Sequence, residues 1–287
     1  MHYLPQDKWQ LAQAQHHLVV TDWVNPRLNR RALGQKHPVD DFMFEYYPIS
    51  AKKLRTWHPG FQYRLDAFGV SDDDFAENIY SVAAEISVSH EWLSSQQDAV
   101  IAQLDFLVAT SNRPARTGCF GLHEWAMVLG QNELRHNDWA LRIEQQQIAE
   151  TIDEVGLRCT HFDAFRFFTD EAKPLNPLQL TRSDQSNVEQ PGCLHANMDL
   201  YKIAMRWVPI FGSLFARKCF RLARDIRTVD MQSAPYDLIE LGVQPIKIET
   251  AQGRAEFTQR QKMFSERAQK LRGKMIQHLE SAISVTR

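Results

Sequence analysis

The feature that most restricts the fold of this chain is the recurrence of apolar residues at helical spacing. Between Gly212 and Asp230 they recur every three or four positions, with basic residues between them. The apolar positions of this segment are Phe215, Cys219, Leu222 and Ile226. Residues spaced in this way lie on one face of an α-helix, and that face can be buried against a core. The segment from Glu256 to Ile283 has a similar pattern, so we expect two long helices in the last third of the chain.

Helical patterns also cover much of the preceding chain. They span residues 6–24, 74–93, 96–111, 120–129, 145–155 and 194–207. Asn25-Pro26 suits the start of a new helix, and Ser71 with the three aspartates after it suits another. We expect strands only at Gln62–Asp66 and Gln244–Glu249, whereas residues 160–168 fit either a helix or a strand. The sequence therefore predicts one mainly α domain, residues 1–287, with at most a minor β component.

The charge of the chain is nearly balanced overall but unevenly distributed. Its formal net charge of -2 gives no overall field that would attract nucleic acid. Pro26–Arg64 has eight Lys or Arg and three acids, whereas Leu65–Asn112 has nine acids and no Lys or Arg. The basic stretch, which includes Arg30 and Arg31, could contact phosphates.

The four cysteines lie at least 26 positions apart, so the sequence contains no Cys-x-x-Cys pair and no zinc-ribbon spacing. We find no signal peptide or stop-transfer segment. These features predict a cytoplasmic protein with reduced thiols and no membrane partner.

Three stretches place ionisable residues beside apolar or aromatic ones. On the helix that starts near Leu194, His195, Asp199 and Lys202 fall at i, i+4 and i+7, which is one face. The other two stretches contribute His123 and Glu124, and then Arg158, His161, Asp163 and Arg166 among several phenylalanines. Such residues can build a polar pocket, for which we expect His123, Asp163, His195 and Asp199 as lining. They can equally be solvated faces or structural ion pairs, such as Asp163 with Arg166.

The same residues include enough ligands for one or two metal ions: His123, Glu124, His161, Asp163, His195 and Asp199. Neither the Glu-x-x-His pairs of di-iron bundles nor a His-Glu-x-x-His motif is present. One hypothesis is therefore a metal-dependent enzyme that acts on a small anionic substrate. Another is a non-enzymatic binding protein whose polar rows form interface salt bridges.

Several long motifs also resemble a bacterial family whose members commonly carry the label 3-methyladenine DNA glycosylase. The motifs are Lys36–Tyr47, Leu54–Gly60, Gly118–Val128, Asp163–Thr169, Glu189–Lys202 and Asp230–Leu238. The resemblance implies a hydrolase of base-excision repair that releases an alkylated base from DNA without a cofactor. The chain has no helix-hairpin-helix motif, so no glycosylase residue can be transferred position by position.

The chemistry of that reaction suggests its own candidates. An alkylated purine is a cationic leaving group, which needs aromatic faces, a carboxylate to stabilise the oxocarbenium ion, and cations for the backbone. Candidate catalytic residues are Asp163, Asp199, Glu124, His123, His161 and His195. Candidate substrate-binding residues are Arg158, Arg166, Lys202, Tyr47, Trp57 and Trp125.

Overall fold

A computed structural model describes residues 1–68, 70, 75–131 and 139–286 of the protein. Its longer helices are α1 (Gln6–Ala32), α5 (Gln97–Ser111), α7 (Gln145–Val155), α10 (Leu194–Arg206), α12 (Ser213–Ser233) and α13 (Ala251–Val285). Its shorter helices are α2 (Phe42–Glu45), α3 (Ala51–Arg55), α4 (His90–Ser95), α6 (Leu122–Ala126), α8 (Phe162–Phe165), α9 (Gln185–Val188) and α11 (Val208–Phe211). Short 3₁₀ turns occupy Lys173–Leu175, Arg182–Asp184 and Ile239–Leu241. The expected mainly α class is confirmed.

One small sheet accounts for the β component of the described residues. Its strands are β1 (His2–Leu4), β2 (Tyr63–Asp66), β3 (Tyr80–Val82) and β4 (Glu85–Val88), in the order β1-β2-β4-β3. β1 runs parallel to β2, and the other two pairings are antiparallel. Leu65 on β2 lies opposite Ile86 on β4, and both side chains are fully buried. The strand expected at Gln62–Asp66 is therefore confirmed.

The helix expected over residues 74–93 is wrong. Residues 80–82 and 85–88 form the β3–β4 hairpin, and only His90–Ser95 is helical. Along β4 the buried residues Ile86 and Val88 alternate with partly exposed ones, which is the two-residue period of a half-buried strand. The cap expected at Ser71 lies outside the described residues.

The break expected at Pro26 is also wrong, because α1 continues through it to Ala32. A proline inside a helix removes one hydrogen bond and strains the preceding turn. Contacts of the residues just before this point compensate that cost: Val20 and Val24 are buried, and the Asn25 side chain accepts a hydrogen bond of 3.0 Å from Arg55. Ser50 caps the start of α3, since its Oγ accepts a hydrogen bond from the amide of Lys53.

Residues 244–249 alternate in burial without forming a strand. Ile246 and Ile248 are buried, as the pattern indicated. The Ile246 amide donates to the Gln232 carbonyl and the Ile248 amide to the Ile246 carbonyl, so this segment is a turn without a partner strand among the described residues. The expected strand is therefore wrong.

The chain divides into two compact units, which we describe separately. Unit 1 comprises Met1–Val108, Leu200–Arg221 and Leu271–Arg287. Unit 2 comprises Ala109–Asp199 and Leu222–Lys270. A single domain over residues 1–287 stays a prediction.

The core of unit 1 contains many aromatic side chains. The Tyr201 ring contacts Tyr47 and Phe220 edge-on, at centroid distances of 5.5 and 5.1 Å. Trp57 stacks on Trp9 at 6.1 Å. Tyr47 is 1% exposed and Trp57 9% exposed, so both have packing roles in the core.

None of the helices in the described parts of the chain combines the length and the apolar character needed to cross a membrane.

A pair of glycines allows the packing of unit 1 to be tested. Gly212 and Gly156 share a backbone conformation open mainly to glycine, with φ and ψ of 78° and 154° for Gly212 and of 76° and 140° for Gly156. A Cβ on Gly212 would lie 2.6 Å from the Pro59 carbonyl oxygen, whereas one on Gly156 would meet nothing within 4 Å. We expect Gly212→Ala to destabilise the protein by about 1–3 kcal/mol more than Gly156→Ala, as measured by denaturant unfolding. Equal losses would show that the close approach of Gly212 to Pro59 is absent.

Candidate metal centre

Unit 2 contains a cavity of about 480 Å³, a size typical of small-molecule sites. Four stretches of the chain supply its wall, near residues 116–123, 157–161, 168–178 and 190–195. They bring together the imidazoles of His123, His161 and His195 and the thiols of Cys119, Cys159 and Cys193. The three histidine segments that the sequence singled out therefore converge.

Gln190 holds one wall of the cavity in place. Its side chain accepts a hydrogen bond of 2.8 Å from the Arg116 amide and donates one of 3.2 Å to the Arg116 carbonyl. Gly192 allows the two segments to approach, because a Cβ there would lie 2.4 Å from the Arg116 carbonyl oxygen. α10 begins two residues later and carries His195 on its first turn.

A second anchor positions His123 on α6. The neighbouring Trp125 is fully buried, and its Nε1 donates a 2.8 Å hydrogen bond to the carbonyl of Ser233 at the end of α12. α6 and α12 are thus held side by side, with His123 facing Asp230. Trp125 does not line the cavity, so its position suits packing rather than contact with a substrate.

His123, His195 and Asp230 form a group that could hold a metal ion, since their donor atoms all lie within 4.8 Å of one another. His123 Nε2 is 3.1 Å from Asp230 Oδ1. The rings of His123 and His195 are nearly perpendicular, with centroids 4.4 Å apart. Although buried, neither His123 Nε2 nor Asp230 Oδ1 has a partner with hydrogen-bond geometry. Two imidazoles and a carboxylate thus point at one small volume.

The buried Arg227 fixes the carboxylates of this group. One of its nitrogens donates to Glu124 Oε1 at 2.6 Å and to Asp230 Oδ2 at 2.7 Å. The other Asp230 oxygen therefore faces His123. Two carboxylates against one guanidinium leave a negative charge that the imidazoles, or a bound cation, must balance.

The pKa values of these residues follow from that charge. Burial would lower the pKa of His123, but the Asp230 and Glu124 carboxylates outweigh it and raise that pKa. Burial would raise the pKa of Asp230, but His123 and Arg227 hold it well below its usual range. Burial and the nearby His123 lower the pKa of His195 far below its ordinary value, so its ring is neutral, as metal ligation requires.

His161 stands between two other carboxylates. Its Nε2 is 3.5 Å from Glu189 Oε1 and 3.4 Å from Asp199 Oδ2. Burial would lower the pKa of His161, yet these two acids raise it. Its ring also stacks on that of His195, with centroids 5.2 Å apart. His123 and His161, which both line the cavity, are thus each paired with carboxylates that are not part of its lining.

The remaining predicted residues have varied positions. Asp163 is buried, does not line the cavity, and pairs with Arg166 and Arg182 at 3.4 and 3.3 Å. This is the structural ion pair that the sequence allowed. Arg158 lines the cavity, whereas Lys202 belongs to unit 1.

Sequence reasoning missed Asp230, Arg227 and Glu189 as site residues. A signal for Asp230 exists, because it continues the apolar row of α12 four positions after Ile226. A carboxylate in such a row is buried, and buried carboxylates need partners. The match between Asp230 and His123 has no local signal, because 107 positions separate them.

Comparison with family models, with curated proteins and with solved structures finds no match for this chain. The resemblance to the glycosylase family therefore stays a prediction.

The role of Arg227 can be tested by comparison with an exposed ion pair that has the same nitrogen–oxygen distance. Arg227→Met would leave two buried carboxylates without their cation, so we expect a loss of about 3–5 kcal/mol in the free energy of unfolding. Arg267→Met is the control, because Arg267 and Asp225 form an ion pair of the same 2.7 Å distance that is half-exposed. We expect this control to lower the free energy of unfolding by less than about 1 kcal/mol. Both would be measured by urea unfolding in metal-free buffer. Similar costs for the two variants would contradict the buried network.

Proposed function

We propose that this protein is a metal-dependent enzyme that acts on a small anionic substrate in the cavity of unit 2. The observation that carries the proposal is the group of His123, His195 and Asp230, whose donor atoms lie within 4.8 Å of one another and whose two histidines line the cavity. Buried charged groups of this kind are costly unless they are paired or bind a cation.

The donor set supports a catalytic rather than a purely structural metal. Two imidazoles and one carboxylate occur at catalytic zinc sites and at non-haem iron sites, where the remaining positions are open to water and substrate. A metal in such a site polarises a bound oxygen or lowers the pKa of bound water. Arg227 would keep the Asp230 carboxylate in its binding orientation, as outer residues of metal sites commonly do.

The wall of the cavity supports an anionic substrate. Arg116 and Arg158 contribute to the lining, and both residues are exposed. Neither guanidinium forms an ion pair with another described residue. The rest of the wall is largely apolar: Leu122, Leu157, Phe168, Pro177, Leu178 and Leu194. This combination suits a molecule with an anionic group on an apolar body.

Elemental analysis of untagged protein tests the proposal. We expect a stoichiometric first-row divalent metal in the wild type, and its loss in Asp230→Asn, because the amide is a poorer ligand and lacks the charge. Asp225→Asn, an exposed change on the same helix, should retain the metal. Circular dichroism would establish that both variants are folded.

The proposal fails if the wild type contains no stoichiometric metal and its chelator-treated form binds none of Zn²⁺, Fe²⁺ or Mn²⁺. It also fails if Asp230→Asn holds metal as tightly as the wild type.

The glycosylase activity that the resemblance implies is a second candidate. The cavity supports it, because an enzyme that acts on a base must accept the flipped base in a pocket, and Arg116 and Arg158 could contact its phosphates. Asp199, beside His161, would supply the carboxylate.

Release of 3-methyladenine from methylated duplex DNA separates the two candidates. On the glycosylase hypothesis, folded enzyme releases the base in the presence of chelator, and Asp199→Asn abolishes release with nearly unchanged DNA affinity, since phosphate contacts dominate that affinity. Asp225→Asn is the control. Absence of release above a no-enzyme blank, with excess enzyme, would contradict this candidate.

A further inference from the structure

We infer that the cavity of unit 2 binds an anion with an apolar body, and that this molecule enters with its apolar end first. Its anionic group stays at the mouth beside Arg158, while its apolar body extends toward His123 and His195. This inference rests on the proposed function and adds the orientation of the substrate. The bond that reacts then lies in the part of the molecule remote from its anionic group.

The exposure of the lining residues gives the cavity a mouth and a floor. Arg116 and Arg158 are exposed, and the neighbouring lining residue Leu178 is 39% exposed. By contrast, the lining residues His123 and His195 are only 8% and 5% exposed. The two arginines therefore lie at the mouth of the cavity and the imidazoles at its floor.

The Arg158 side chain lies against the cavity wall at Gly118. A Cβ on Gly118 would lie 3.2 Å from Arg158 Nη1 and 3.7 Å from its Cδ. The φ of Gly118 is not in the left-handed region, so its backbone does not require glycine. The space that Arg158 occupies accounts for the missing side chain. Its guanidinium thus lies at a lining residue and pairs with no carboxylate among the described residues.

The charges around the floor oppose an anion there. Two carboxylates share the single guanidinium of Arg227, and two more lie within 3.5 Å of the His161 ring. An anionic group at this depth would also lose its hydration, which is costly unless it is fully paired. At the mouth the same group keeps water and can accept charge-assisted hydrogen bonds from Arg158. The anionic end is therefore more stable at the mouth than at the floor.

The deeper wall suits the apolar body. Leu122, Leu157, Phe168 and Leu194 line the cavity, and each is at most 4% exposed. A hydrocarbon that contacts these side chains is removed from water, and each buried methylene raises the affinity by about fourfold. The structure therefore favours a monoanion, such as a carboxylate, that is joined to the reacting group through an apolar body.

Calorimetric titration of chelator-treated, full-length protein with hexanoate, octanoate and decanoate tests this orientation. We expect the affinity to rise with chain length by about fourfold per methylene until the cavity is filled. Octanoate should bind more tightly than 1-octanol, which has the same chain without the charge.

Variants of Arg158 identify the group that binds the carboxylate. Arg158→Met should weaken octanoate by about fivefold and leave 1-octanol unchanged, because only the exposed ion pair is lost. Arg158→Lys, which keeps the charge, should retain part of the preference for octanoate over 1-octanol. Arg260→Met is the matched control, because Arg260 is an exposed arginine of the same unit that does not line the cavity.

The same titrations with Zn²⁺ present distinguish the two orientations. With the carboxylate at the mouth, Zn²⁺ should leave the affinity for octanoate nearly unchanged. A large gain with Zn²⁺, together with loss of the effect of Arg158→Met, would show that the carboxylate binds the metal and would overturn the inference. Equal affinity of Arg158→Met and the wild type for octanoate, or no binding of any of the three acids, would also overturn it.

Failure of this inference is distinguishable from failure of the proposed function. The titrations on chelator-treated protein locate the carboxylate without any metal, whereas the metal content of the wild type decides the proposed function.

Discussion

The buried ion pairs of Arg227 are the interaction on which the rest of the site depends. Through one guanidinium nitrogen this residue binds Glu124 on α6 and Asp230 on α12. Burying a guanidinium and two carboxylates costs several kcal/mol per ion, and good geometry is needed to offset that cost. Once formed, the pairs determine which oxygen of Asp230 faces His123. On the proposed function, a cation bound by His123, His195 and Asp230 would balance the negative charge that remains.

The three histidines reach this cavity by different means. His123 depends on the hydrogen bond from Trp125 to Ser233, which joins α6 to the end of α12. His195 depends on the start of α10, where Gln190 and Gly192 pin the preceding turn to the backbone of Arg116. His161 precedes the short helix α8. The first two connections join segments that are far apart in sequence, and all three imidazoles line the same cavity.

Periodicity predicted the parts of this fold that are decided locally. The helices near residues 96–111, 145–155, 194–207 and 212–230 follow from apolar stripes and capping residues within each segment. Pro26 and the β3–β4 hairpin were mispredicted because distant contacts decide them: burial of Val20 and Val24 holds α1 together, and pairing with β2 holds β4. Local propensity is a weak guide where tertiary packing supplies the larger energy.

The residues of the candidate site also divide into those that the local sequence predicts and those that depend on distant contacts. His123, His161, His195 and Asp199 stood out because each lies in a stretch that mixes polar groups with apolar ones. Tyr47, Trp57 and Trp125 stood out for their aromatic rings, but those rings are buried in packing contacts. Asp230 and Arg227 were missed because their roles depend on contacts with His123 and Glu124, which lie more than a hundred positions earlier in the sequence.

The most direct test of the account is a crystal structure of the protein soaked in Zn²⁺, with anomalous diffraction measured on both sides of the zinc absorption edge. The account predicts an edge-dependent peak at about 2.0–2.2 Å from His123 Nε2, a ring nitrogen of His195 and Asp230 Oδ1. A direct His123–Asp230 hydrogen bond with no anomalous peak between these residues would contradict it.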